Sequence, residues 1–274
     1  MTFVPDGETP LLRGKEYTAP SVFEPENLLR EARRQKRLPD RPVPDICLLD
    51  PDGDVVRHLA ATGHGVLEPA WACYHTQMWT TEVDGLRIGV VGCAVGAPFA
   101  VLVAEQLAAS GATLVVSVTS AGQLSPLADP PYFVLIDRAL RDEGTSLHYQ
   151  APSAWAQLPG HLGAAVEPLL APGGTVRRGA SWTTDAPYRE TGTAIAVAVA
   201  AGAVCVEMEA AALYAYAAAR GRDVVCIAHV TNSMAVYGDD FEKGETNGAT
   251  ASLTLTASIA RAIIGAGGGR AEVG

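Results

Sequence analysis

A chain of 274 residues with 48% apolar and 18% charged side chains is long enough to bury a sizeable core, as one large α/β domain or two small ones. Its formal charge of -10 argues against the basic footprint of a nucleic-acid binder. Cys47, Cys73, Cys93, Cys205 and Cys226 are odd in number, widely spaced and mostly set in apolar runs, the pattern of reduced core residues. No CxxC pair or His/Cys cluster offers a metal site, Met1–Pro10 has no signal-peptide pattern, and no uninterrupted apolar run reaches membrane-spanning length. The expectation is a cytoplasmic protein with no metal, no nucleic-acid partner and no membrane.

Residues 1–44 are rich in Pro and charge and read as an N-terminal arm, with one helix predicted over Pro25–Leu38 that carries Arg30, Arg33, Arg34, Lys36 and Arg37. Such a cluster can look like a phosphate or nucleic-acid site, but on an otherwise acidic protein it fits better a solvated helix face or an arm packing on a neighbour. The core begins at Asp45–Leu49, an apolar strand that exits into Asp50-Pro51-Asp52-Gly53-Asp54, turn chemistry followed by a helix start. Trp71–Glu82 and Leu86–Cys93 read as two strands joined by a hairpin turn at Asp84-Gly85. Gly92-Cys93-Ala94-Val95-Gly96-Ala97-Pro98 then leads into a helix over Phe99–Ser110, and glycines in that position let backbone N–H groups approach an anion or sugar. Thr113–Val118 is a buried strand ending in Thr119-Ser120-Ala121-Gly122.

Pro131–Leu140 reads as a further strand, followed by a long irregular segment over Gly144–Pro172, a length that is usually functional or interfacial. A strand over Thr175–Trp182, a polar aromatic loop over Thr183–Thr191 and a helix over Ala194–Ala201 come next. Val204–Glu209 is an apolar strand ending in two carboxylates, Glu207 and Glu209, around Met208, with an alanine-rich helix following directly. The two acids either favour the positive helix end or serve a ligand at a strand exit. The last core strand, Val224–Val230, ends in Thr231-Asn232-Ser233-Met234. A helix over Thr250–Ile264 closes the domain, and residues 265–274 read as an unstructured tail. Strands alternating with helices, with polar residues collected at strand ends, predict one doubly wound α/β domain over 45–264, its mixed, largely parallel central sheet flanked by helices.

Several of these stretches together resemble the nucleoside phosphorylases of the purine nucleoside and uridine phosphorylase type, a family that also contains nucleosidases. Val206-Glu207-Met208-Glu209-Ala210-Ala211 is similar to the family's ribose-binding strand and helix, and Gly92–Ala97 to its glycine loop. Ser117–Gly122 falls where the family has its phosphate and ribose turn, Gly144–Tyr149 is similar to a segment of uridine phosphorylases, and Ser181–Thr191 to the base-side loop. The resemblance implies N-glycosidic bond cleavage of a small-molecule nucleoside, nominally phosphorolysis with inorganic phosphate as co-substrate and no other cofactor, in a homo-oligomer (dimer, trimer or hexamer). It places Glu207, Met208, Glu209 and Ser120 at the ribose. Gly96, Thr119 and Ser120 fall on the phosphate or water side, and Gly122, Trp182, Tyr188, Arg189 and Asn232 at the base. Asn232 stands where the purine enzymes carry an acid. An amide hydrogen-bonds a carbonyl but cannot donate a proton as a carboxylic acid does, so an oxo-base (uracil or a 6-oxopurine) is favoured.

The departures concern phosphate. The family's arginines at the first strand exit, from the neighbouring subunit and before the hydroxylated turn are replaced by Leu49 with Asp52–Asp54, by Tyr74 or His75, and by Ser117. Without bidentate guanidinium partners an oxyanion is poorly held, unless Arg57, Arg87 or the arm's arginines take over. The acidic replacement suggests hydrolysis, with Asp52 or Asp54 as the general base. A nucleoside-binding protein without turnover is the remaining alternative.

Overall fold

The structure, a computed structural model, describes residues 9–170, 175–233 and 242–268. Its strands are β1 (Ile46–Asp50), β2 (Val66–Leu67), β3 (Met78–Val83), β4 (Leu86–Gly92), β5 (Leu114–Gln123), β6 (Tyr132–Asp142), β7 (Trp155–Gln157), β8 (Val176–Thr184), β9 (Ala203–Glu207) and β10 (Asp223–Ser233). The helices are α1 (Pro25–Lys36), α2 (Asp54–Thr62), α3 (Ala97–Ala109), α4 (Ser146–Tyr149), α5 (Gly160–Val166), α6 (Gly192–Ala200), α7 (Ala210–Arg220) and α8 (Ala249–Gly268).

One mixed sheet runs in the order β10-β6-β8-β9-β5-β1-β4-β3-β2, with β7 on β6, and β10 also pairs with β5. That last pairing closes β5, β10, β6, β8 and β9 into a ring, while β1, β4, β3 and β2 continue as an open wing. The expected mixed α/β sheet flanked by helices is what forms, and the closure is a feature beyond it. β1 is buried at every position, as a parallel strand covered on both faces must be. The β3–β4 hairpin turns at Asp84 and Gly85, both at positive φ, the backbone that this turn requires.

α7 is the central helix. Every residue from Ala210 to Ala217 is buried, and its alanines let α3 and β6 approach its backbone closely. Two tyrosines lock it in place: Tyr216 Oη donates to Ala104 O on α3 at 3.2 Å, and Tyr214 Oη donates to Ile136 O on β6 at 2.5 Å while accepting from Cys226 N on β10 at 3.1 Å. The N-terminal arm is not detached, because Leu29 and Ala32 of α1 pack with Ala72 and against Leu38 and Ala109.

Several boundaries differ from the sequence expectation. Residues 71–77 are not strand: Trp71, Ala72 and Cys73 are buried in succession rather than alternately, and Lys36 Nζ takes the carbonyls of Ala72 and Cys73 that a strand partner would have taken. The segment over 144–172 is not irregular where described, since it folds into α4, β7, α5 and a 3-10 turn at Glu167–Leu170. Arg141 organises its first part through Ser146 Oγ and the carbonyls of Gln150, Ala151 and Ser153. β5 and β10 each run past their predicted ends, because each supplies the other's partner. α8 continues to Gly268, while residues 269–274 of the predicted tail, Met234 and Pro172 lie outside the described residues. Residues 245–266 are long and apolar enough to cross a membrane, with 44% of that window buried inside the fold. Among the cysteines Cys93 is exposed and the other four are buried and free.

Tyr214→Phe leaves Ile136 O and Cys226 N without their buried partner. The expected cost is about 1–3 kcal/mol of unfolding free energy, read as a lower urea midpoint; an unchanged midpoint would show that the bridge contributes nothing.

Candidate active site

The site forms where one edge of β5 changes partner. Along one side β5 pairs with β10 from Leu114 to Gln123. Along the other it pairs with β1 only from Leu114 to Ser117, and with β9 only at Gly122 and Gln123. Between these two contacts β1 and β9 diverge, and the edge at residues 118–121 has no strand beside it. A buried N–H left there needs an acceptor, and Asp52, from the β1 exit, supplies one: its Oδ2 accepts from Ser120 N at 2.7 Å. The split in the sheet is a topological switch point of the kind that holds ligands in α/β folds.

Across the split lies Glu209, 1% exposed. Its Oε1 accepts from Gly96 N at 2.7 Å, just before α3, and the Thr119 hydroxyl lies close to the same carboxyl. Oε2 is buried with no hydrogen-bond partner among the described residues. Burial raises the Glu209 pKa to about 8, the charge of Glu207 adds to this, and the Gly96 amide and Thr119 hydroxyl oppose it.

Glu207 is a carboxylate of another kind. It accepts from Ser181 Oγ at 2.9 Å, from Thr183 Oγ1, and from the N–H groups of Glu209 and Ala210 at 2.7 Å each. Burial drives its pKa up, against the four donors that favour the charged form. All of its acceptor capacity is spent on joining β8 to the start of α7, so it fixes the backbone that presents Met208, which is half-buried, and Glu209.

Of the other predicted residues, Gly96 bonds Glu209 directly, Asp52 bonds Ser120, and Thr119 and Asp52 both act on the Glu209 carboxyl electrostatically. Gly122 pairs with Asn232 on one side and Val206 on the other, which brings the predicted base amide to the same end of β5 just past a bulge in β10. Asp52 and Asp54 separate clearly. Asp54 is bonded to Arg57 at 2.7 Å and to Lys243 at 2.6 Å; burial alone would raise its pKa, but those two cations outweigh it and hold the pKa below the usual carboxylate value. Its oxygens are engaged by the two cations, and it ties Lys243 to α2. Trp182 is buried with Ala198, Ala203 and Val206, and its Nε1 donates to Asp142 at 2.9 Å, so it is a packing residue here. Tyr188 is 99% exposed and Arg189 is also exposed; the structure does not bring either to the split.

Two neighbours escaped the sequence reading as site residues. Asp50, 2% exposed, caps α2 through Gly53 N at 3.2 Å and Val56 N at 3.0 Å. Burial raises its pKa to about 7, the Val56 amide opposes this, and Asp52 and Asp54 add to it. Its position as the last residue of an apolar strand was the available signal. Cys93 sits at φ 63 in the glycine loop with its thiol against Gly53. The proposed replacement cations fare differently: Arg87 is bound to Glu68, whereas Arg57 stays at this strand exit, held by Asp52 O and Asp54. Among the described residues no group of three or more potential metal ligands occurs.

The split thus gathers a buried carboxyl with one oxygen unbonded among the described residues, the glycine-loop amide that holds its other oxygen, and a second carboxylate on Ser120 N. A family profile described as "Phosphorylase superfamily" matches residues 45–264. The chain belongs to the phosphorylase superfamily. Among solved structures it is similar to a uridine phosphorylase from Vibrio fischeri ES114, at 20% identity and TM-score 0.66, over 80% of this chain and 93% of that one. No curated protein sequence matches it. As a superfamily member the chain is an enzyme of the nucleoside phosphorylase type or a related glycosyltransferase, and the split beside β5 is its candidate centre.

Two substitutions separate the paired acids. Glu209→Gln keeps an acceptor for Gly96 N and removes the titrating group, so the fold should persist while most turnover is lost. A group whose folded pKa is raised contributes stability that is present below its unfolded pKa and lost as pH rises through the folded one. For Glu209 that window runs from 4.5 to about 8, so the unliganded wild type should lose thermal stability across it more steeply than Glu209→Gln; parallel Tm–pH curves would contradict the assignment. Glu207→Gln instead keeps one oxygen for the N–H groups of Glu209 and Ala210, turns an NH2 toward the Ser181 and Thr183 hydroxyls and loses the charge all four donors stabilise. It should cost about 1–3 kcal/mol of stability, measured by denaturant unfolding.

Proposed function

We propose that this enzyme cleaves the N-glycosidic bond of a nucleoside with water as the acceptor. The observation that carries the reading is the Asp52 carboxylate seated on Ser120 N inside the gap of β5. A phosphate placed there would have to displace Asp52 and would still face Asp50 and Glu209, with no free arginine aimed at it among the described residues. A water molecule meets no such repulsion and finds a base.

In this reading the free Oε2 of Glu209 accepts from the ribose hydroxyls and Met208 lies against the sugar. Water attacks C1′ as the C1′–N bond breaks and its electron pair passes to the base. Asp52 takes the water proton, which is returned to the departing base nitrogen by way of solvent. The Asn232 amide donates to a carbonyl oxygen of the base as negative charge grows there, which favours uracil or a 6-oxopurine. Phosphorolysis is the second reading, supported by superfamily membership and by Arg57 at the same strand exit.

The test is base release from uridine, inosine and adenosine, with and without inorganic phosphate. Hydrolysis predicts phosphate-independent release of free ribose, faster for the oxo-bases, and a kcat lower by about 100-fold or more in Asp52→Asn. Strict phosphate dependence with ribose 1-phosphate as product would establish the second reading, and binding without release would deny turnover altogether.

A further inference from the structure

Arg30, Arg33, Arg34 and Arg37 lie outside the residues that the family profile matches, and together they line a surface depression of about 490 Å3 closed by Leu38 and Asp40. Their spacing sets three of them along one stripe of α1, with Arg37 at its C-cap in the left-handed region. Counter-charge is scarce there. Glu31 meets Arg30 at 3.8 Å and Arg34 at 2.9 Å, and Asp40, 94% exposed, approaches only Arg33, at 3.8 Å. None of the ion pairs of this helix among the described residues involves Arg37. Arg33 is 15% exposed; its guanidinium reaches Ser110 Oγ at 3.4 Å, while its Nε is buried without a hydrogen-bond partner.

Like charges held within two helical turns repel one another, and a desolvated donor without an acceptor is costly. The chain compensates this only in part, since Glu31 is shared by Arg30 and Arg34 and Arg33 Nε has only Asp40 Oδ1 at 3.8 Å. A multivalent anion supplies the remaining counter-charge, and planar guanidinium forks are matched to phosphate oxygens. The stripe from residue 30 to residue 37 runs about 10 Å along the helix, longer than one phosphate group. We propose that this depression binds a pyrophosphate-type group, two adjacent phosphates carried either as free pyrophosphate or on a nucleotide. The site is separate from the split at β5, none of whose residues line it.

Isothermal titration of the full chain with inorganic pyrophosphate and with ADP tests this. Arg34 and Arg37 are both exposed, so the double variant Arg34→Ala/Arg37→Ala should fold normally and keep its nucleoside turnover. The expected result is pyrophosphate binding that weakens as ionic strength rises and falls by about ten-fold or more in the double variant. ADP binding with an affinity similar to pyrophosphate, and equally sensitive to the variant, places recognition in the phosphates. No pyrophosphate heat in the wild type, equal affinity in the variant, or binding of ADP alone would overturn the proposal. So would altered subunit assembly in the variant with pyrophosphate affinity unchanged, since the arginines would then serve a subunit contact.

Discussion

The unpaired edge of β5 is the constraint from which the site follows. A ten-residue strand that keeps β10 along one side but trades β1 for β9 along the other must leave backbone polar groups without a ladder partner. In a buried setting that is expensive, and the protein meets the need at Ser120 with a side chain rather than a strand. The same divergence of β1 and β9 opens room for a ligand and turns the carboxylates at both strand ends toward it. Structural need and site geometry therefore share a cause.

Around that opening the enzyme concentrates acids at graded costs. Glu207 is fully satisfied and acts as a joint between β8 and α7. Asp50 caps α2, Asp54 is neutralised by Arg57 and Lys243, and Asp52 is bonded only where the sheet is split. Of these acids Glu209 alone keeps a buried free oxygen, so its surroundings favour the neutral form until hydroxyl donors arrive. Burial and like charges both resist ionisation there. The superfamily scaffold thus gathers its carboxylates at the split in the sheet, while an arginine cluster lies on an extension docked against α3.

Much of this could be read from residue order. Val204–Glu209 running into alanines identified the strand, the helix and the acid pair, and Gly92–Gly96 and Thr119–Gly122 marked the elements that meet it. Local readings erred where an interaction from far along the chain replaced the expected one. Residues 71–77 lost their strand to Lys36. Trp182, which the family resemblance places at the base, is held by Asp142 and packed against β9. The strand predicted to end at Val118 instead runs through Thr119–Gly122, because β10 holds those residues extended.

By itself the sequence determined the alternation of strands and helices, the superfamily and the identity of Glu207 and Glu209, because hydrophobic period, glycine placement and a short motif are properties of neighbouring residues. Only the tertiary structure decided that the sheet closes through β10, that β5 is left bare between β1 and β9, and that Asp52 rather than Asp54 faces the opening. Those outcomes depend on pairings across 68 residues for Asp52 with Ser120 and 189 for Asp54 with Lys243. Charge compensation at such distances is set by how the chain folds back on itself, and no local pattern records it.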